Sequence, residues 1–257
     1  MIRHASGIAD YLATISRSAP GNPCACRIQS LYGTYPPSLP FVDYWLTADG
    51  RGQANGAIAR SGTDYVLLLT DSTDLDEVSS FLQMTGAGRA LCDGSFALTG
   101  YQHADSGVLL QASRPVAVTQ NDSVYQPTLR DVYALLQACA GEQFQPPAWE
   151  DFYVDMNHKL RHGAARLCGI AKDQGLCAAG MTVAETAQCA VLGAVACRPD
   201  CRRKGYGTHI VGSLVNALLR EGKVVWLHRA QNENAAFYQS MGFAERGTWK
   251  EYTYHRG

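Results

Sequence analysis

A run of cations and glycines near residue 205 has the residue types of an anion-binding turn. It follows an apolar stretch and a Pro-containing turn, and it opens a segment whose apolar residues recur at helical period. The first turn of a helix exposes amides without intrahelical acceptors at the positive end of the helix dipole, and glycine lets a ligand approach them. We therefore predict a pyrophosphate site formed by Arg202, Arg203, Lys204, Gly205, Tyr206, Gly207 and Thr208.

Two common phosphate-binding loops do not fit this segment. The P-loop of nucleotide triphosphatases ends in Gly-Lys-Ser/Thr after a fixed glycine spacing, and the sequence has no such run. The dinucleotide-binding fingerprint needs a third glycine, but Ile210 stands at that position and no βαβ pattern surrounds it. The site therefore belongs to another class of phosphate ligand.

The segment from Arg202 to Gly207 resembles the acyl-CoA loop of the GNAT superfamily of N-acyltransferases, Gln/Arg-x-x-Gly-x-Gly/Ala. Downstream, residues 232–243 are similar to the family's ending, in which an asparagine, a short helix and a tyrosine precede Gly-Phe. The order of two helices and three antiparallel strands before the loop also matches. The resemblance covers most of residues 107–257 and implies a two-domain, bacterial-type GNAT N-acetyltransferase.

Periodicity predicts the elements that hold this loop. Helices are expected from Thr128 and from about 149 to 162, followed by strands at 167–171, 176–183 and 188–197. A long helix at 205–220 with one apolar stripe, a buried strand at 224–227, a short helix at 235–241 and a strand at 249–254 complete this part. We expect a GNAT fold, with a mixed, mostly antiparallel sheet of splayed strands between helices.

The pattern of residues 1–106 indicates a smaller α+β domain. Strands are predicted at 41–46, 57–59 and 65–69, followed by a helix that Thr73 or Asp74 caps, and a strand predicted at 107–112 opens the second domain. We expect antiparallel strands with one helix behind them. The fold class is thus α+β, with domains at 1–106 and 107–257, and the strand order suggests that the first domain is a degenerate GNAT-like copy.

The resemblance also implies a mechanism. Acetyl-CoA, the acyl donor, would lie where the strand ending at Val195, Ala196 and Cys197 splays away from the strand at 224–227. The backbone of Val195 and Cys197 would pair with the pantetheine arm, and the amides of 203–208 would hold the pyrophosphate. The amine would attack the thioester directly, and Tyr238 would protonate the departing thiolate as general acid.

Several candidate residues stay open. Tyr238 also fits a core tyrosine on an amphipathic helix. Asn232 and Asn234 are candidate cofactor contacts, but the family's usual asparagine position is Gln231 here, and Asn234 also suits a helix cap. The general base is unassigned, and the residues considered for it or for the acceptor pocket are Asp155, His158, His162, Glu185, Tyr252 and Tyr254. No metal site is predicted, because Lys159 stands where His-Glu-x-x-His needs its glutamate.

Composition limits the partners. With 46% hydrophobic and 18% charged residues and a net charge of −1, the chain can form a core and shows no basic surface for nucleic acid. No apolar run approaches the ~18 residues of a membrane helix, and the nine cysteines suggest reduced thiols in the cytoplasm.

We expect a small-molecule amine as the acetyl acceptor, and a homodimer is left open. The alternatives are an acyl-CoA-binding regulatory protein with little catalysis and an acetyltransferase for protein or peptide amines.

Overall fold

The computed structural model describes residues 1–257 except 6–7, 20, 120–121, 142–143, 173–174, 232–233 and 255–257. The chain forms two compact units. The first comprises residues 1–110, 228–233 and 245–257, and the second comprises residues 111–227 and 234–244. Within the described residues, no helix combines the length and the apolar character needed to cross a membrane.

The helices and strands follow one another along the chain in this order: β1 (Ile2–His4), α1 (Ile8–Ser18), α2 (Pro23–Thr34), β2 (Val42–Ala48), β3 (Ala54–Ser61), β4 (Asp64–Leu68), α3 (Leu75–Met84), β5 (Arg89–Asp93), β6 (Gln102–Ala112), α4 (Leu129–Ala138), α5 (Trp149–Arg161), β7 (Leu167–Lys172), β8 (Gly175–Glu185), β9 (Cys189–Cys197), α6 (Tyr206–Arg220), β10 (Val224–Ala230), α7 (Ala235–Ser240) and β11 (Phe243–Thr253). The predicted α+β class is confirmed.

In the first unit, β1, β2, β3 and β4 pair antiparallel in sequence order. β5 then pairs with β4 in parallel over three positions, and β11 pairs with β5 antiparallel. Helix α3 connects β4 to β5, as a parallel connection requires. The expectation of antiparallel strands alone was therefore wrong for β4 and β5.

Helices α1 and α2 of the first unit were not predicted from the sequence. Tyr11 and Ile15, one helical turn apart, bury the inner face of α1. The side chain of Asn22 accepts hydrogen bonds from the amides of Cys24 and Ala25 at the start of α2, and Pro23 occupies the first helical position. Both features are ordinary start signals of a helix, but the small residues of α2 give it only a weak apolar stripe.

In the second unit, β7, β8 and β9 form an antiparallel sheet, and β10 joins β9 in parallel. Helices α4 and α5 pack on one side through a core that includes Leu135, Phe152 and Met156. Helix α6 packs against β7, β8 and β9. Of its predicted stripe, Leu219 is only half-buried and the others are buried: Ile210, Val211, Leu214, Val215 and Leu218. The predicted elements of this unit are present, although the tip of the β7–β8 hairpin lies outside the described residues.

Candidate active site

The site begins where β9 leaves β10. The parallel pairing covers four positions, Val224–Leu227 opposite Cys189–Leu192. Beyond Leu192, the rest of β9 pairs with β8, where Val195 lies opposite Gly180 and Cys197 lies opposite Ala178. Among the described residues of this unit, this part of β9 pairs with no other strand. The β10-facing edge of the segment 193–197 is thus open to an extended ligand.

A β-bulge marks the point of separation. On β9 three residue steps separate Leu192 from Val195, whereas their partners on β8, Thr182 and Gly180, are two steps apart. The extra residue of β9 bends the strand and increases its twist. Gly193 is required there, because a Cβ at this position would lie 2.2 Å from Cγ1 of Val183.

The loop after β9 is held in an uncommon conformation. A short 3₁₀ turn at Pro199–Cys201 follows the strand, and Gly205 occupies the N-cap of α6 with φ of 83°. Arg203 has φ of 60°, a left-handed conformation that costs a non-glycine residue about 1 kcal/mol or more. Backbone strain of this kind concentrates at ligand-binding loops, which fits the predicted role of this turn.

The amides of the loop are available to a ligand. The first main-chain bond into α6 joins the amide of His209 to the carbonyl of Gly205 at 3.0 Å. Among the described residues, the amides from Gly205 to Thr208 have no acceptor. Residues 202–205 are exposed and residues 206–208 are half-buried. The helix end therefore presents several donors and its positive dipole to solvent, as a pyrophosphate site requires.

The cations around the loop have distinct partners. Arg198 pairs with Asp200 through Nε and Oδ1 at 2.6 Å, and this pairing lowers the pKa of the Asp200 carboxyl. Lys204 donates from Nζ to the carbonyl of Asp200 at 2.9 Å, and Arg202 donates from Nε to the carbonyl of Cys197 at 3.1 Å. Arg198 thus neutralises the acid of this turn, and the cationic groups of Arg202, Arg203 and Lys204 leave a positive field beside the free amides.

The carbonyl of Cys197 has two donors in this structure. Besides Arg202, the thiol of Cys139 at the C-terminus of α4 donates to it at 3.3 Å. A carbonyl oxygen offers two lone pairs, so both are used. If this carbonyl binds a pantetheine amide, as the sequence resemblance implies, one of the two side chains must move aside.

Helix α7 brings two aromatic residues to the loop. A Cβ at Gly207 would lie 3.4 Å from Cζ of Phe237, so the Phe237 ring packs directly over the loop glycine. Tyr238 is 9% exposed, and its ring makes edge-to-face contacts with Phe237 and Phe243 at 5.0 and 5.5 Å. Phe237 was not predicted, and its only signal in the sequence was its position next to Tyr238.

Of the two candidate asparagines, Asn234 lies within the described residues and Asn232 lies outside them. Asn234 occupies the N-cap position of α7 with φ of 50°, and its side chain makes no capping hydrogen bond. Asn234 therefore occupies the predicted cap position, but its side chain does not cap the helix. It starts α7 through its backbone, in a conformation that asparagine tolerates better than most residues.

Glu185 is locked in an ion-pair network. Its carboxylate, with a side chain only 3% exposed, accepts from Nε of Arg166 at 2.9 Å and from Nζ of Lys223 at 2.5 Å. Arg166 and Lys223 also pair with Glu221. Both carboxylate oxygens of Glu185 thus accept hydrogen bonds inside this network, and the geometry supports a structural role for Glu185.

The polar residues of α5 are partnered mainly within the helix. Asp155 pairs with Lys159 at 2.8 Å. The rings of His158 and His162 lie 4.2 Å apart, and Nδ1 of His162 is 2.9 Å from the carbonyl of His158. In the part of the chain that the structure describes, no three His, Cys, Asp or Glu side chains are placed to hold a metal ion.

The sequence model of the Acetyltransferase (GNAT) family matches residues 129–243, from the start of α4 to the first residue of β11. Residues 129–243 are a GNAT acetyltransferase domain. The family resemblance noted in the sequence is thereby confirmed. Enzymes of this family transfer an acyl group with acetyl-CoA as the donor, so the domain at residues 129–243 is of the acyltransferase type. No curated protein matches the chain in sequence.

Solved structures extend the likeness to the whole chain. A tandem GNAT protein from the clavulanic acid biosynthesis pathway, solved without AcCoA, is 15% identical, with 98% of each chain covered and a TM-score of 0.59. A GCN5-related N-acetyltransferase from Sphaerobacter thermophilus is 12% identical, covering 100% of this chain and 96% of its own at a TM-score of 0.63. One from Kribbella flavida is 13% identical, with 98% of each chain covered at 0.62. At these identities the likeness shows the fold alone, and it covers the residues of the first unit as well as those of the second.

Proposed function

We propose that the protein is an N-acetyltransferase that moves the acetyl group of acetyl-CoA to the primary amine of a small molecule. The observation that carries this proposal is the row of unpaired amides at the start of α6, beside Arg202, Arg203 and Lys204. These groups suit a diphosphate, and the open edge of β9 suits the extended arm that follows it. We assign the acyltransferase domain to residues 107–257.

In the proposed reaction, the amine nitrogen attacks the thioester carbonyl carbon and loses one proton to water, so the protein supplies no nucleophile. The main chain of β9 orients the donor at the open edge of the sheet. When the carbon–sulfur bond breaks, the hydroxyl of Tyr238 gives its proton to the departing sulfur. The aromatic contacts of Tyr238 with Phe237 and Phe243 fix the ring in one orientation for this transfer.

A small acceptor is favoured over a basic protein tail because of the charge of the chain. The net charge is −1, so the chain lacks the excess of acidic residues that would attract a basic tail. The test is a thiol-release screen with acetyl-CoA over a panel of small amines, with lysine-containing peptides and Gly207→Trp as controls. We expect at least one small amine to accelerate release in wild type and not in the variant. Stimulation by peptides alone would refute the small-molecule acceptor. Cofactor binding without release would indicate a binding protein instead.

A further inference from the structure

A cavity of the second unit lies along α4 and α5. It measures about 660 Å³, within the ~300–1,000 Å³ range of small-molecule pockets. Its walls include Trp149, Tyr153, Asn157 and Arg161 of α5 together with Arg130 of α4. The residues of α5 recur at helical spacing, so one face of this helix forms much of the wall.

The arginine end of this cavity lies away from the acyl-CoA loop. At the C-terminus of α4, Cys139 contacts the carbonyl of Cys197, whereas the cavity reaches Thr128 at the opposite end of the same helix. Ten helical residues separate these ends by ~15 Å at 1.5 Å per residue. None of the residues that line the cavity belongs to the loop at 195–208 or to α7.

The cavity has a charged end and an aromatic end. The N-terminal residues of α4 and the C-terminal residues of α5 line it together, so Arg130 and Arg161 lie towards one end. At the start of α5, the Trp149 ring lies 5.1 Å from the Tyr153 ring, with the two planes tilted by 33°, and it meets the Tyr133 ring of α4 edge to face at the same separation. Tyr153 is 42% exposed and so offers a ring face to a ligand.

The arginines of this cavity are available to an anion. Neither Arg130 nor Arg161 forms an ion pair with a described residue, and the acid next to Arg130, Asp131, is bonded to Thr128. A cation in the last turn of a helix, such as Arg161, complements the helix dipole, but Arg130 lies in a first turn, where the dipole disfavours it. Arg130 nevertheless places a second guanidinium group at this end of the cavity.

We propose that this cavity binds a small aromatic anion, with its carboxylate, sulfonate or phosphate on Arg130 and Arg161 and its ring against Tyr153 and Trp149. Guanidinium groups bind such anions through paired hydrogen bonds, and their charge excludes cationic ligands. The site is additional to the acetyl-CoA site, and both can be occupied in one chain.

The test is a calorimetric titration of the full chain, saturated with acetyl-CoA, using 2-naphthoate as the probe and 2-naphthalenemethanol as its uncharged analogue. We expect saturable binding of one naphthoate per chain and at least tenfold weaker binding of the alcohol. Arg130→Gln/Arg161→Gln should weaken naphthoate binding at least tenfold, and Tyr153→Ala should weaken it severalfold. The matched control Arg51→Gln/Arg220→Gln changes two exposed arginines elsewhere and should bind as wild type.

Equal affinity for naphthoate in the Arg130/Arg161 variant and wild type would overturn the proposal, as would equal affinity for the alcohol or an absence of saturable binding. Circular dichroism and the acetyl-CoA-induced rise in melting temperature check that each variant is folded. The acetyl-CoA shift also separates this proposal from the acyltransferase function, because loss of naphthoate binding leaves that shift intact.

Discussion

Tyr238 is the residue on which the proposed proton transfer depends. Removing its hydroxyl while keeping the ring preserves the contacts with Phe237 and Phe243. We therefore expect Tyr238→Phe to lower kcat by about 100-fold, within the range of general acid catalysis, with little change in acetyl-CoA binding. Thiol-release kinetics measure the first effect and thermal shift the second. Tyr125→Phe, on an exposed ring, is the control, and unchanged turnover in Tyr238→Phe would remove the hydroxyl from the mechanism.

Glu221 gives the molecule a pH-dependent contact. Hydrogen bonds from Arg166, and then from Lys223, lower the pKa of the Glu221 carboxyl to about 2. Because the folded-state pKa lies below the unfolded value, the contact stabilises the protein fully above about pH 4.5 and is lost as the pH falls towards 2. The effect is modest because the side chain is 42% exposed.

The corresponding experiment compares melting temperatures of wild type and Glu221→Gln between pH 7 and pH 2.5. We expect the wild type to melt higher at pH 7 and the difference to shrink as the pH falls below about 4.5. A difference that stays constant over this range would show that the charge of Glu221 contributes nothing.

At the scale of elements, β9, the following loop and α6 form the cofactor-binding unit. Gly207→Trp would place an indole against the Phe237 ring and over the free amides. We expect it to abolish the rise in melting temperature that acetyl-CoA causes in wild type. Gly50→Trp, at a turn of the first unit with open space around it, controls for the added bulk. A full shift in Gly207→Trp would place the cofactor elsewhere.

Local pattern predicted this unit well because its determinants are close in sequence. The stripe from Ile210 to Leu218 specifies α6, and the spacing of Gly205 and Gly207 specifies the loop. Other features depend on distant residues. The bulge of β9 needs the contact between Gly193 and Val183, and Phe237 reaches Gly207 only after the chain has folded. The left-handed backbone of Arg203 has no signature in its side chain.

At the scale of the molecule, the two units repeat one order of elements. Two helices, three antiparallel strands, a helix and a parallel strand occur as α1 to β5 and again as α4 to β10. The sequence suggested the repeat only through strand order. Helix α2 of the first copy was not predicted because most of its buried residues are small or polar, with Ile28 as the large apolar exception.

The helix that follows the third strand differs between the copies. In the first unit, Oδ1 of Asp74 accepts the amides of Asp76 and Glu77 at the start of α3, at 3.1 and 3.0 Å. The carboxylates of these three residues repel a diphosphate where the second unit offers free amides. We therefore expect one acetyl-CoA per chain by native mass spectrometry, and none in Gly207→Trp. Two bound per chain would contradict this difference between the copies.

The central claim is that acetyl-CoA is held by the amides at the start of α6. Amide NMR spectra of the deuterated, ¹⁵N-labelled chain, recorded during titration with acetyl-CoA, test it directly. We predict that the amide resonances of Gly205 to Thr208 shift most, while those of Asp76 and Glu77 at the start of α3 stay in place. Saturation with acetyl-CoA that leaves the Gly205 to Thr208 amides unshifted would contradict the claim.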